Sequence, residues 1–267
     1  MVLVAFTFFV KTLYHIMRTS LLLCVLALII TSCNNEPIYT AQEIIDKTIK
    51  VSGGELYKSA QITFNFRDKV YKSTRQCNKF MLERFATDST GQITHDMLDN
   101  DGLMRLKDGK PDKVHDTLIA KISDGINSVH YFAHLPYGLN DASVNKKLVE
   151  ETSLKDTEYY KIKVWFNQDG GGTDYQDVYM YWINKKRFTI DYLAYTYEVN
   201  GGGIRFREAY NARTVNGLRF VDYKNYKPKT KDYSITTIDS LFKNNQLQLL
   251  SKIETEDVSV ELLDKDC

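Results

Sequence analysis

Hydrophobic and polar residues alternate with a period of two along most of this chain. The segment 159–166 shows the pattern most clearly, because Tyr160, Ile162, Val164 and Phe166 fall on one side of an extended backbone. Such alternation is typical of antiparallel strands that bury one face. The same pattern recurs in six further segments: 61–66, 178–183, 189–199, 204–214, 218–225 and 247–254.

Short turns rich in glycine and asparagine, with no helices, join the strands of the second half. Asp108-Gly109 and Asn216-Gly217 are dipeptides that favour tight hairpins. Parallel sheets need long helical crossovers, so this spacing excludes a doubly wound fold and an eight-fold α/β barrel. The sequence therefore predicts a mainly β (α+β) fold, built as a large curved antiparallel sheet or an incomplete barrel.

Two helical segments interrupt the strands. Thr40 and Glu43 form a capping-box pattern before an apolar face, which predicts an amino-terminal helix over residues 41–51. In the middle of the chain, Asp124 is the expected cap of a helix that runs to His134. A second short helix is expected over residues 141–147. We expect this mid-chain insertion to lie across the concave face of the sheet.

The amino terminus has the features of an exported lipoprotein. Met17-Arg18 precedes the uncharged apolar run 21–30, and small residues then lead to Cys33. The pattern resembles the bacterial lipoprotein box, whose cysteine receives acyl chains, so Cys33 is the expected lipid-attachment residue. The alternatives are an ordinary signal peptide with a chance cysteine, or a buried core helix.

This interpretation divides the chain into three parts. Residues 1–32 are a signal peptide, in which Met17 is the expected translation start and the residues before it are an artefactual leader. Residues 33–40 are the lipidated cysteine and a polar tether. Residues 41–267 form a single domain, and the 267 − 32 = 235 residues that remain after cleavage suffice for one.

The net charge restricts the class of binding partner, and the cysteines bear on disulfide formation. Without Lys11 and Arg18 of the leader, 35 − 2 = 33 basic residues face 34 acidic ones, and this balance argues against a nucleic-acid partner. Cys77 and Cys267 remain besides Cys33, and an oxidising compartment would permit them to pair. No cofactor or metal is predicted.

Four stretches and the overall layout resemble known families. The stretches are 127–132 (NSVHYF), 135–141 (LPYGLND), 181–184 (YWIN) and 205–213 (RFREAYNAR). The layout resembles the lipoprotein carriers of the LolA/LolB type, in which an incomplete barrel wraps a hydrophobic cavity and helices plug its mouth. The stretches resemble an uncharacterised Bacteroidetes-type outer-membrane lipoprotein family. The resemblance implies this fold and a location on the outer membrane facing the periplasm, and it implies no activity.

Aromatic residues supply the first candidate site. Eighteen tyrosines and 12% aromatic residues are enough to line a cavity, although a solid core would need the same side chains. The candidates for ligand binding are Phe64, Phe66, Tyr131, Phe132, Leu135, Tyr137, Trp165, Trp182 and Tyr195.

An arginine-rich strand supplies the second candidate site. Alternation places Arg205, Arg207 and Arg213 on one face of segment 204–213. Guanidinium groups on one face can hold a carboxylate or phosphate. The alternative is ion pairing across strands with acids such as Asp222.

Catalytic and metal motifs are absent from the sequence. His130 and His134 share a helical face, but no third ligand accompanies them, so they are interpreted as interfacial residues. The leading hypothesis is a membrane-anchored periplasmic lipoprotein that binds an apolar or amphiphilic ligand, a lipid or an acyl chain, with Arg205 and Arg207 at an anionic head. The alternatives are a structural lipoprotein that recruits an envelope protein, and an enzyme acting on an envelope lipid or glycan.

Overall fold

A computed structural model describes residues 14, 17–19, 37–173, 175–198, 201–230 and 233–264. The chain divides into two compact units, Met1–Tyr39 and Thr40–Cys267. In the first unit, residues 14 and 17–19 are helical, and residues 37–39 have no regular secondary structure. Within the described ranges, no helix is both long enough and apolar enough to span a membrane. The predicted lipid-attachment residue, Cys33, lies outside the described residues.

The second unit begins with helix α1 (Ala41–Val51), as the capping pattern predicts. The Thr40 hydroxyl accepts a hydrogen bond from the backbone N–H of Glu43 at 3.2 Å, and the Glu43 carboxylate accepts one from the Thr40 N–H at 2.8 Å. These two bonds satisfy backbone groups that a helix start leaves without partners. Ile44 and Ile45 form the fully buried face of the helix.

The first sheet contains seven antiparallel strands in the order β14-β1-β2-β3-β4-β5-β6. A 3₁₀ turn (Gly54–Ser59) leads into it. Its strands are β1 (Ala60–Phe66), β2 (Lys69–Gln76), β3 (Lys79–Thr87), β4 (Ile93–Asp99), β5 (Gly102–Lys107), β6 (Lys110–Pro111) and, from the end of the chain, β14 (Glu256–Leu262).

The second sheet also contains seven antiparallel strands, in the order β13-β12-β11-β10-β9-β8-β7. Its strands are β7 (Val144–Leu154), β8 (Thr157–Phe166), β9 (Tyr179–Asn184), β10 (Ile190–Tyr197), β11 (Gly203–Val215), β12 (Leu218–Pro228) and β13 (Leu247–Ile253). Two residues join β13 to β14, so the chain passes from an edge of one sheet to an edge of the other. The two antiparallel sheets do not close into a barrel, and the predicted fold class is confirmed.

Helix α2 (Asp116–His134) links the two sheets and packs against both. Its His130 imidazole bonds to the backbone carbonyl of Glu83 on β3 at 3.2 Å. The Tyr131 hydroxyl bonds to the Tyr181 hydroxyl on β9 at 2.6 Å. The predicted mid-chain helix is therefore present and spans the space between the sheets.

The bounds of this insertion differ from the prediction in two ways. Helix α2 begins at Asp116 with His115 as its cap, nine residues before the predicted cap, Asp124. The actual cap, His115, is not a residue type that favours helix starts, whereas Asp124 is, so the local pattern indicates the later start. The predicted short helix over 141–147 is wrong, because a turn ends at residue 143 and strand β7 begins at Val144.

The other face of the second sheet is also covered. A 3₁₀ turn (Ile235–Thr237) and helix α3 (Ile238–Lys243) pack over Trp182 and Phe206. Lys161 is only 1% exposed beneath this cover, and its ammonium contacts Asp239 at 3.1 Å and the Thr236 carbonyl at 2.7 Å. Both faces of β8 are therefore buried, although alternation predicts a solvent-facing lysine.

Cys77 lies in the turn between β2 and β3 and is disulfide-bonded. Its predicted partner, Cys267, lies outside the described residues. Structural disulfides persist in oxidising compartments, and this bond is in keeping with an exported chain.

We predict that Gly53→Ala destabilises the fold by at least about 2 kcal/mol, because it combines backbone strain with a steric clash. Gly53 has φ +128°, and an added Cβ would lie 2.4 Å from Leu218 Cδ2 and 3.1 Å from the Gly217 carbonyl. Urea unfolding of the purified protein measures this loss.

Gly54→Ala is the matched control. Gly54 also has positive φ, at +52°, but no atom lies within 4 Å of the added Cβ. We expect a cost of about 1 kcal/mol from the left-handed backbone alone. Equal losses for the two variants would contradict the tight contact between the end of α1 and the start of β12.

Candidate functional site

A cavity lies between helix α2 and the inner face of the second sheet. It has a volume of about 940 Å³, which is typical of ligand pockets. Its lining from the helix includes Thr117, Ala120, Lys121, Asp124, Ser128, Val129 and Phe132. Its lining from the sheets and the loops between their strands includes Phe66, Arg67, Asp177, Tyr179, Tyr195, Tyr197, Arg205, Arg207, Val221, Tyr223, Asn225, Ser251 and Ile253.

The alternation of the strands decides which side chains face this cavity. Tyr179 on β9 pairs with Tyr195 on β10, which pairs with Arg205 on β11. Residues on the same side of neighbouring strands form rows across a sheet, so these three side chains lie side by side. Residues between them, such as Met180 and Phe206, point to the opposite face and pack under α3.

Arg207 occupies the inner end of the cavity. It is 7% exposed, and its guanidinium carbon lies 3.8 Å from the centre of the Phe132 ring and 5.0 Å from that of Tyr195. Nη2 donates a hydrogen bond to the Tyr195 hydroxyl at 2.9 Å. The Nε and Nη1 atoms are buried and have no hydrogen-bond partner among the described residues.

The charge of Arg207 lacks a counter-charge in the described part of the chain, where no acidic side chain forms an ion pair with it. Aromatic faces stabilise a cation partly. Burying an ion still costs several kcal/mol unless hydrogen bonds and an opposite charge compensate for it. Arg207 is therefore equipped to receive an anion from outside the chain.

Arg205 and Arg213, the other arginines of strand β11, have different surroundings from those of Arg207. Arg213 forms an ion pair with Asp222 at 3.1 Å, so the cross-strand alternative is correct for this residue. A bulge between residues 210 and 213 displaces it from the row of Arg205 and Arg207. Arg205 lines the cavity with its guanidinium 4.7 Å from the Tyr197 ring centre.

The cavity mouth is marked by exposed polar side chains. Thr117, Lys121 and Arg67 are exposed and also line the cavity. Four basic and two acidic residues line it in all, the acids being Asp124 and Asp177, so the lining has an excess of two positive charges. Such a lining raises the local concentration of anions.

Burial raises the pKa of Tyr223 to about 12, so this cavity residue is a neutral hydrogen-bonding group at physiological pH.

Some of the predicted binding residues line this cavity: Phe66, Phe132, Tyr195, Arg205 and Arg207. The others lie elsewhere. Phe64 is fully buried in a core cluster of the first sheet, and Leu135 is also buried. Trp182 is fully buried on the opposite face of the second sheet.

Three further predicted residues also lie outside the lining. Tyr131 bonds to Tyr181, and Tyr137 stacks on the Tyr57 ring at 5.0 Å. The ammonium nitrogen of Lys163 lies 5.5 Å from the centre of the Trp165 ring. Trp165 and Trp182 occupy those alternate positions of their strands that point away from the cavity. Aromatic content alone does not reveal which face of a strand a residue occupies.

Sequence reasoning missed three tyrosines of the lining. Tyr179, Tyr197 and Tyr223 contribute to the cavity together with Asn225. The alternation of side chains along the strand predicts that Tyr197 faces the cavity, because it lies two residues after Tyr195 on the same strand. Tyr179 and Tyr223 require the register between strands, which one sequence does not give.

His130 and His134 are structural residues in the core beneath α2. Both are buried, and both nitrogens of His134 lack hydrogen-bond partners. Burial lowers the pKa of His130 to about 4 and that of His134 well below its usual value. Among the described residues, no cluster of three or more His, Cys, Asp or Glu side chains could hold a metal ion.

A family model matches residues 17–255, which is most of the chain. The chain belongs to this family. Its description is a family of unknown function (DUF6503). A comparison with curated proteins finds no match.

Solved structures with a similar fold include the LolA superfamily protein NE2245 from Nitrosomonas europaea, at 13% identity and a TM-score of 0.50, covering 85% of this chain and 95% of that one. A DUF1329 family protein from Desulfovibrio piger is 8% identical with a TM-score of 0.40, covering 82% and 92%. A putative outer membrane lipoprotein-sorting protein domain from Vibrio parahaemolyticus is 4% identical with a TM-score of 0.32, covering 81% and 93%. The first of these similarities shows a LolA-type fold, and it shows the fold alone.

We predict that the protein loses about 2 kcal/mol of stability per buried histidine between pH 7.5 and pH 5. The unfolded chain takes up a proton near pH 6.5, whereas the folded chain keeps His130 neutral until about pH 4. The contribution of each neutral histidine to the free energy of unfolding is therefore present above pH 6.5 and decreases as the pH falls toward 4. Urea unfolding at a series of pH values measures the slope.

His134→Phe should reduce this slope and leave stability at pH 7.5 unchanged or higher, because the aromatic ring replaces two buried atoms without partners. His115→Asn is the control, since His115 is an exposed helix cap that asparagine can replace. An unchanged slope in His134→Phe would contradict the assignment.

Proposed function

We propose that the chain is a cell-envelope lipoprotein that binds an apolar or amphiphilic ligand, a lipid or acyl chain, in the cavity between α2 and the second sheet. The single observation that carries this proposal is the 940 Å³ cavity, whose lining combines aromatic side chains with the buried, unpaired guanidinium of Arg207. A filled core would leave neither the space nor the unsatisfied donors.

The chemistry of the lining favours an elongated, mainly apolar ligand. Phe66, Phe132, Val129 and Ile253 supply apolar surface, and the tyrosine rings of β9 and β10 add to it. Pockets that bind small molecules combine such walls with a few placed polar groups. The LolA-superfamily fold of NE2245 supports this role as an analogy of fold.

The envelope location is proposed from the amino terminus. A signal peptide over residues 1–32 would direct export, and acyl chains on Cys33 would anchor the domain to the outer membrane, facing the periplasm. The family of Bacteroidetes-type lipoproteins suggested by the sequence fits this arrangement. The disulfide at Cys77 supports an oxidising compartment.

We predict that Ala120→Trp weakens binding of a fluorescent acyl probe at least about tenfold, equivalent to about 1.4 kcal/mol, by filling the cavity mouth. Ala120 lies on an exposed part of α2 and lines the cavity, so an indole there can enter the mouth without disturbing the core. Titration of the purified protein with the probe measures the affinity.

Ile119→Trp is the matched control, because Ile119 is the neighbouring exposed residue of the same helix and does not line the cavity. It should bind the probe as the wild-type protein does. Equal affinities for wild type, Ala120→Trp and Ile119→Trp would place the probe elsewhere. Absence of any binding would contradict the proposed function.

A second candidate is an interaction role in the cell envelope. Leu249 and Leu250 are exposed on β13, which is an edge strand of the second sheet. Exposed apolar edges favour pairing with another chain. If this role is correct, Leu249→Lys should abolish crosslinking to an envelope protein and leave acyl-probe binding unchanged.

A further inference from the structure

We infer that the ligand of this cavity is an unesterified amphiphilic acid that binds with its acid group innermost, at Arg207, and presents a neighbouring hydroxyl or N–H donor to Asn225. This inference rests on the proposed function and specifies the ligand class and its orientation.

The position of Arg207 determines the orientation. Its guanidinium lies at the buried end of the cavity, whereas Thr117 and Lys121 mark the exposed mouth. A lipid that entered tail first, with its head group outside, would place hydrocarbon against a buried cation. That arrangement would remove the guanidinium from water without providing an oxyanion, which is unfavourable. An acid group at the inner end supplies the missing charge.

The free atoms of Arg207 determine the acid chemistry. Nη2 is engaged with Tyr195, while Nε and Nη1 have no partners. These atoms can donate to the oxygens of a carboxylate or of a phosphate monoester, which share this chemistry. The rings of Phe132 and Tyr223 lie 3.8 and 5.8 Å from the guanidinium carbon, so a ligand oxyanion would bind in the plane of the guanidinium, at Nε and Nη1.

Asn225 indicates a second group that the ligand must carry, a hydrogen-bond donor. It pairs with Arg207 across strands β11 and β12, and both side chains line the cavity. Its Nδ2 donates to the Ser251 hydroxyl at 3.3 Å, but its Oδ1 is buried and has no donor within the described part of the chain. A carboxylate cannot donate to Oδ1, because it only accepts hydrogen bonds. A hydroxyl or amide N–H close to the acid group would satisfy it.

The test is a set of binding titrations at pH 8 with four probes of equal chain length: myristate, 3-hydroxymyristate, methyl myristate and tetradecyl phosphate. We expect myristate to bind about 10- to 100-fold more tightly than its methyl ester, the range of one charge-assisted hydrogen-bonded contact. We expect 3-hydroxymyristate to bind several-fold more tightly than myristate. The titration with tetradecyl phosphate distinguishes a site specific for carboxylates from one that also accepts a phosphate monoester.

Arg207→Met removes the charge and keeps the length of the side chain. It should reduce the affinity for myristate to that for the ester and leave the affinity for the ester unchanged. Asn225→Ala should remove only the advantage of the hydroxyl. Arg187→Gln is the control, because Arg187 is an exposed arginine paired with Asp191 at 2.6 Å and lies outside the cavity lining.

The outcomes separate this inference from the proposed function. If myristate and its ester bind equally well, or if Arg207→Met binds myristate as wild type does, the head-in orientation is overturned while the cavity remains a binding site. If the hydroxyl gives no advantage in wild type, the role of Asn225 is overturned. If none of the four probes binds, both the inference and the proposed function fail.

Discussion

The period-two alternation of the second sheet is the constraint on which the rest of the structure depends. Both faces of this sheet are covered, one by α2 and the other by α3, so the buried residues of β9, β10 and the first half of β11 belong to one of two interiors. One interior is a solid core around Trp182 and Phe206. The other contains the cavity, and a shift of one residue in register would exchange the two sets.

This assignment has an electrostatic consequence on β11. Arg207 and Glu208 are adjacent in sequence and point to opposite sides of the sheet. Glu208 is compensated on its side by Lys155 at 2.5 Å and by the Tyr226 hydroxyl at 3.1 Å. Arg207 finds aromatic rings and a hydroxyl on the other side. Of these two neighbouring charges, Glu208 has partners within the chain, whereas Arg207 has no ion-pair partner among the described residues.

Most of the fold could be predicted from the sequence, because its signals are local. The capping box at Thr40, the alternation of residues 159–166 and the hairpin glycines each act within a few residues. The start of α2 could not be predicted, since its cap is His115, a residue type that does not favour helix starts, while Asp124 further along the chain does. The burial of Lys161 depends on α3, about 75 residues away in sequence, and local patterns do not report such contacts.

The candidate site was only partly predictable for the same reason. Parity along β11 correctly places Arg205 and Arg207 together, and the structure brings them to the cavity with Phe132. Aromatic content cannot separate Trp182, in the core, from Tyr179, in the cavity. That distinction depends on the register between β9 and its neighbours and on which helix covers each face.

Native mass spectrometry of the protein purified from a bacterial envelope tests the central claim, that the cavity between α2 and the second sheet holds a ligand. Our account predicts one bound molecule per chain, of the mass of a single amphiphilic acid, that is lost in Arg207→Met and retained in Arg187→Gln. A bare protein mass that stays unchanged after addition of 3-hydroxymyristate would contradict it.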